Sequence, residues 1–210
     1  MSTPAEKIAR PRAQRMSPQE RKEQLLKAAL KGSAEKGLGN CYHRDLAVMT
    51  GVSVPTVFHY FPSSEALVGS VIDDVTRFLI DFVQVHIVDV DEPGAAAVHN
   101  MLLAFADAID KHPDPIRIWL HWSAGIQEQY WKDYLAFSRK AFTAIKVLVK
   151  RGIEDGSMHP DLDAECASKL IYNCATLITT TRFGGGTKKE VRRIIDAFVE
   201  GYLNGYRKDS

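Results

Sequence analysis

The sequence predicts an all-α fold of about nine helices. Apolar residues recur at intervals of three and four along almost every segment, and Gly and Pro fall between those segments. No run alternates apolar and polar residues in the manner of a half-buried strand.

The first helix opens at Ser17-Pro18-Gln19-Glu20, a capping-box pattern with Pro in the turn where a missing N–H costs nothing. Leu25, Leu26, Ala29 and Leu30 mark its apolar face, and Gly37 offers a C-cap. A short second helix, His43 to Thr50, turns Leu46 and Ala47 inward and stops at Gly51. Ser53 caps a third, carrying Pro55, Thr56, Val57, Phe58, His59 and Tyr60, which Pro62 ends. The Ser63/Ser64/Glu65 cluster opens a longer fourth helix. Its two adjacent rows, Leu67-Val71-Val75-Phe78-Phe82 and Val68-Ile72-Leu79-Val83, make a wide apolar face and predict deep burial.

Pro93-Gly94 precedes a fifth helix marked by Val98, Leu102, Phe105 and Ile109. Pro113 and Pro115 break the chain before an aromatic segment, Ile116 to Gly125, holding Trp119 and Trp122. A long helix follows from Trp131 through Phe142 to Val149, closed by Gly152 or Gly156. The last two helices flank Gly184-Gly185-Gly186. One carries Cys166, Leu170, Ile171, Cys174, Leu177 and Ile178; the other Val191, Ile195, Phe198, Tyr202 and Tyr206.

With 210 residues, 45% of them apolar, the chain can bury a core as one domain or two small ones. No uninterrupted apolar stretch approaches the ~20 residues that span a bilayer, and the first residues lack an apolar leader core, so a cytoplasmic location without membrane contact is expected. Three cysteines with no C-x-x-C pair fit a reducing compartment. The near balance of 27 Lys and Arg against 26 Asp and Glu hides an asymmetry. Residues 1–61 hold ten basic and five acidic side chains, and residues 62–210 hold 17 and 21. That is a weak cue for an anionic partner at the front end.

Residues 44–61, RDLAVMTGVSVPTVFHYF, have the layout of a helix-turn-helix, with an ordinary αα-hairpin as the alternative. Ala47 is small enough for two helices to approach, Gly51 supplies the turn, and Val52 with Val57 or Phe58 plugs the angle between them. Ser53, Pro55, Thr56, His59 and Tyr60 are left on the outer surface of the second helix, whose width fits a DNA major groove.

The run RDLAVMTGVSVPTVFHYFPSSEAL resembles the DNA-binding domain of TetR-type transcriptional regulators. The resemblance implies three DNA-binding helices, a connecting fourth, and a C-terminal helical domain that dimerises and often holds a ligand. Residues 1–61 are then the arm and DNA-binding domain, and 62–210 the regulatory and dimerisation domain. RPR…SPQERK, SVPTVFHYFP and IRIWLHWSA are similar more narrowly to the LuxR/HapR-type quorum-sensing master regulators. That branch implies a homodimer that both represses and activates, with a basic arm in the minor groove; Arg10, Arg12 and Arg15 are the matching positions. His59 departs from it, because the branch carries an asparagine suited to paired adenine contacts there. Ser64 stands where the family often has Lys or Arg facing phosphate.

The expected function is therefore sequence-specific regulation of transcription on pseudo-palindromic double-stranded operators. Two alternatives stay open: a local ligand-responsive repressor of an adjacent efflux or catabolic operon, and a helical small-molecule-binding protein with no DNA role. For the dimer interface the candidates are Leu170, Leu177, Ile178, Ile195, Phe198 and Tyr202, with intrachain core as the other reading. For an apolar ligand pocket they are Phe78, Phe82, Leu102, Phe105, Trp119, Ser138, Phe142 and Cys174, against plain core packing. Cys166 and Cys174 share one helix face and are expected to pack as small apolar residues. No cofactor, metal or catalytic residue is expected. The seven histidines lack zinc spacing, Gly184 to Lys188 does not satisfy a phosphate loop, and no nucleophile elbow occurs.

Overall fold

A computed structural model describes residues 16–88, 91–125 and 129–205. Nine α-helices occupy them, and no strand occurs among the described residues. The helices are α1 (Pro18–Lys36), α2 (His43–Thr50), α3 (Val54–Tyr60), α4 (Ser64–Val83), α5 (Gly94–Lys111), α6 (Pro113–Ala124), α7 (Trp131–Glu154), α8 (Ala164–Phe183) and α9 (Lys188–Phe198). Two π-helical turns, Gln84–Val88 and Val199–Leu203, extend α4 and α9.

The starts follow side-chain chemistry. The Ser17 hydroxyl accepts from the Glu20 backbone N–H at 3.2 Å, and the Glu20 carboxylate accepts from the Ser17 N–H at 2.7 Å. Ser53, Ser63, Asp163 and Thr187 cap α3, α4, α8 and α9 through one side-chain bond each. Gly51, at φ +69°, ends α2 in the left-handed region that a Cβ would penalise. Pro113 and Pro115 stand differently from the expectation: both lie in the first turn of α6, where Pro is tolerated, so they begin that helix. Gly152 lies inside α7, and the chain turns at Gly156, φ +74°.

Leu25, Ala29, Leu46, Val57, Phe61 and Leu67 form the buried centre of α1–α4. The remaining bundle is α5, α7 and α8 packed together, with α9 laid over α5 and α8. At the crossing of α5 and α7, a Cβ on Gly94 would run into the backbone of Gly152 and Leu148. The two helices therefore touch main chain to main chain. α6 joins the two parts of the molecule, because it packs on α1 and α4 on one side and on α5, α7 and α8 on the other.

Candidate nucleic-acid interface

α3 is held from beneath. Val57 is fully buried and Phe61, its C-cap, is 1% exposed. His43, at the start of α2, is buried. Its Nε2 lies 2.7 Å from the Phe61 carbonyl oxygen, and its ring stacks on Phe58. α2 is tied in turn to α1, because the Lys36 ammonium bonds to the Asp45 carboxylate, which also accepts from the Tyr42 N–H. These bonds hold the Asp45 carboxyl below the usual carboxylate range, with Lys36 the larger cause.

What remains on the outside of α3 is the face expected from spacing. Pro55 and His59 are exposed, Thr56 and Tyr60 are half-buried, and Ser53 is exposed beside its cap bond. The Ser53 and Thr56 hydroxyls lie 2.8 Å apart. The His59 ring meets Tyr60 edge-on at 5.1 Å. Phe58 does not plug the α2–α3 angle: it is 46% exposed, and Val57 fills that place instead. Arg10, Arg12 and Arg15 lie outside the described residues. His43 escaped the sequence reading, although a buried-face histidine one turn from Leu46 was its available signal.

Between α4, α5, α6, α7 and α8 lies an apolar cavity of about 60 Å³. Of the predicted pocket residues, Phe82, Leu102, Phe105 and Trp119 line it. The other four do not, each for a local reason. Phe78 lies a turn before Phe82 and faces an outer groove beside His112, 5.3 Å away. Ser138 is buried but turns back on its own helix to the Leu135 carbonyl. Phe142 stands off the wall, edge-on to Tyr172. Cys174 is buried beside Ala175, which takes the wall position. The wall also includes Leu79, Ile87, Phe137, Ile171 and Tyr172, which the sequence pattern did not single out for a pocket.

Tyr172 supplies the polar group there. Its hydroxyl accepts from Trp119 Nε1 at 3.0 Å and donates to the Tyr134 hydroxyl at 3.3 Å. Burial drives both phenols above their ordinary values, so they stay protonated.

Residues 25–71, which run from α1 into α4, match the model of the bacterial regulatory proteins of the tetR family. The chain is 28% identical over 191 residues to the HTH-type transcriptional regulator LuxR of Vibrio harveyi, covering 91% of this chain and 92% of that one. Residues 25–71 are a TetR-type DNA-binding domain. The HTH-type transcriptional repressor KstR2 of Mycolicibacterium smegmatis is 25% identical over 155 residues, 73% of this chain and 75% of the relative. Among solved structures, the ketosteroid transcriptional regulator KstR2 of Mycobacterium tuberculosis superposes with a TM-score of 0.69 at 22% identity, covering 88% of this chain and 95% of that one. A TetR-family regulator from Agrobacterium tumefaciens gives 0.75 at 15% identity over 88% and 98%. These relatives and neighbours are regulators rather than enzymes, and the solved structures share the helical fold.

The predicted dimer residues divide into two groups. Ile178 and Ile195 have no exposed surface and belong to the chain's own core, which corrects their assignment to an interface. Leu170 and Leu177 are 42% and 51% exposed, and they stand on α8 in one stripe with Cys166, Asn173 and Thr180. Phe198 and Tyr202 are half-buried and stack at 5.5 Å. Cys166 thus differs from the expectation of apolar packing: it is exposed, whereas Cys174 is buried. No helix among the described residues is long and apolar enough to cross a membrane.

Proposed function

We propose that the chain is a LuxR/HapR-like global regulator of the quorum-sensing type, working as a homodimer on pseudo-palindromic operators. The observation that carries this reading is the 28% identity to the Vibrio harveyi regulator over 91% of the chain. Residues 1–61 act as the DNA-binding domain and 62–210 as the regulatory and dimerisation domain. Ser53, Pro55, Thr56, His59 and Tyr60 meet the major groove, and Arg10, Arg12 and Arg15 the minor groove. The support for α3 as reader is its outward polar face above the buried anchors Val57 and Phe61.

Dimerisation uses the α8 stripe around Leu170 and Leu177 together with Phe198 and Tyr202. Two leucines exposed on one stripe of a lone chain support it, and two-fold pairing would cover both copies at once. The cavity is a small-molecule site, and its occupant acts through α6, which forms cavity wall at Trp119 and packs on α1.

The test is genome-wide occupancy in the source cell. Dozens of bound promoters support a global regulator; one or two sites beside its own gene would support the local repressor instead. Absence of salt-dependent duplex binding by the purified chain would remove both.

A further inference from the structure

Phe82 borders both the inner cavity and an open surface groove. It lines the inner cavity with Phe105 and Trp119, and it also lines a surface groove with Phe78, His86 and His112. Phe105 meets it edge-on at 5.6 Å, and the His86 ring lies over it at 4.4 Å. Directly after Val83 the helix loosens into the π turn Gln84–Val88, which puts Ile87 in the inner wall and His86 in the groove. Such turns inside α-helices are frequent at functional sites.

We propose that cavity and groove are one site in two compartments, parted by Phe82, for an uncharged molecule with a compact apolar body and a single hydroxyl or carbonyl. This rests on the reading of the cavity as a ligand site. The inner compartment sets the body. About 60 Å³, at roughly 10–15 Å³ for each water-sized centre, corresponds to about four to six heavy atoms. The one hydroxyl in the inner wall, on Tyr172, already gives its proton to Tyr134 and accepts from Trp119, so a carbonyl placed inside would find no donor there.

The outer compartment sets the polar end. Burial lowers the His86 pKa from its ordinary value, so near neutral pH the ring is uncharged and can donate or accept one bond. Asp81 stands with Lys111 in the same groove, and Asp107 there is paired with Lys188 at 3.6 Å, so the groove has no net positive charge to hold a carboxylate.

The test uses the intact dimer labelled with ¹⁵N, titrated with cyclohexanol, methylcyclohexane or cyclohexanecarboxylate. The Trp119 indole N–H resonance is the reporter. That of Trp122, which bonds to the Tyr130 carbonyl away from the cavity, is the control. Both neutral probes should shift Trp119 saturably, and the carboxylate should not. His86→Phe, which keeps a ring over Phe82, should weaken cyclohexanol about three- to tenfold, the worth of one hydrogen bond, with methylcyclohexane unchanged within twofold. Phe82→Leu should speed probe exchange severalfold. Equal losses for both neutral probes in His86→Phe, or a carboxylate as tight as the alcohol, would overturn the two-compartment site while the cavity still binds. Silence of Trp119 toward both neutral probes, in the parent and in Phe82→Leu, would overturn the cavity reading as well.

Discussion

The imidazole of His43 lies flat on the ring of Phe58, with centroids 3.9 Å apart and planes 8° from parallel. Its Nε2 bonds to the carbonyl of Phe61, so one side chain spans the start of α2 and the end of α3. His43→Ala would strip the Phe61 carbonyl of a partner and Phe58 of its stacking surface. Losing the bond costs about 1–3 kcal/mol and the stacking about 0.5–1.5 kcal/mol. Urea denaturation should show a loss within that combined range, and operator affinity should fall as α3 loosens. A variant of parental stability and affinity would mean that the contact holds nothing.

On α3 itself, Thr56→Ala and Tyr60→Ala should each weaken operator binding by about 1–3 kcal/mol in gel shifts, with the fold unchanged by circular dichroism. His59→Asn should redirect preference toward adenine at one position in a selection from randomised duplexes, since an amide can make the paired contact that imidazole cannot. Arg12→Ala or Arg15→Ala should flatten the salt dependence by about 0.9 in log–log slope for each phosphate that the arm no longer neutralises.

At the α8 stripe, Leu170→Asp and Leu177→Asp should give a folded single chain by light scattering. Ile195→Asp should instead collapse the thermal transition, because Ile195 has no exposed surface within its own chain. If both leucine variants remain dimers, the interface lies elsewhere.

Burial pushes the Cys174 thiol up from 9.0 to about 11 and raises Cys41 for the same reason. Both should therefore resist iodoacetamide at pH 8 until the chain unfolds. Because the folded thiol of Cys174 holds its proton more tightly than the unfolded one, its contribution to stability is complete below about pH 9 and fades as pH rises toward about 11. Denaturation midpoints across that window, with Cys174→Ala losing part of the decline, would check the sign.

The caps and the apolar rows made most of the fold legible in the sequence. Ser17/Glu20, Ser53 and Gly51 each act on backbone groups within a few residues, so their effect is local and readable. The cavity was legible only in part, because a helical row does not say where a wall ends. Phe78 and Phe82 belong to one row, yet only Phe82 reaches the inner cavity, and the π turn that follows leaves no mark in the spacing. Tyr172 was missed for a different reason. Its partners Trp119 and Tyr134 sit 53 and 38 residues away, and only the packing of α6, α7 and α8 brings them together.

The meeting of Gly94 with Gly152 carries one more consequence. With no side chain between them, α5 and α7 have no cushion to compress and no gap to slide into. A shape change in this half of the molecule must therefore swing about that crossing as a door swings on a pin, with the travel greatest far from the pin.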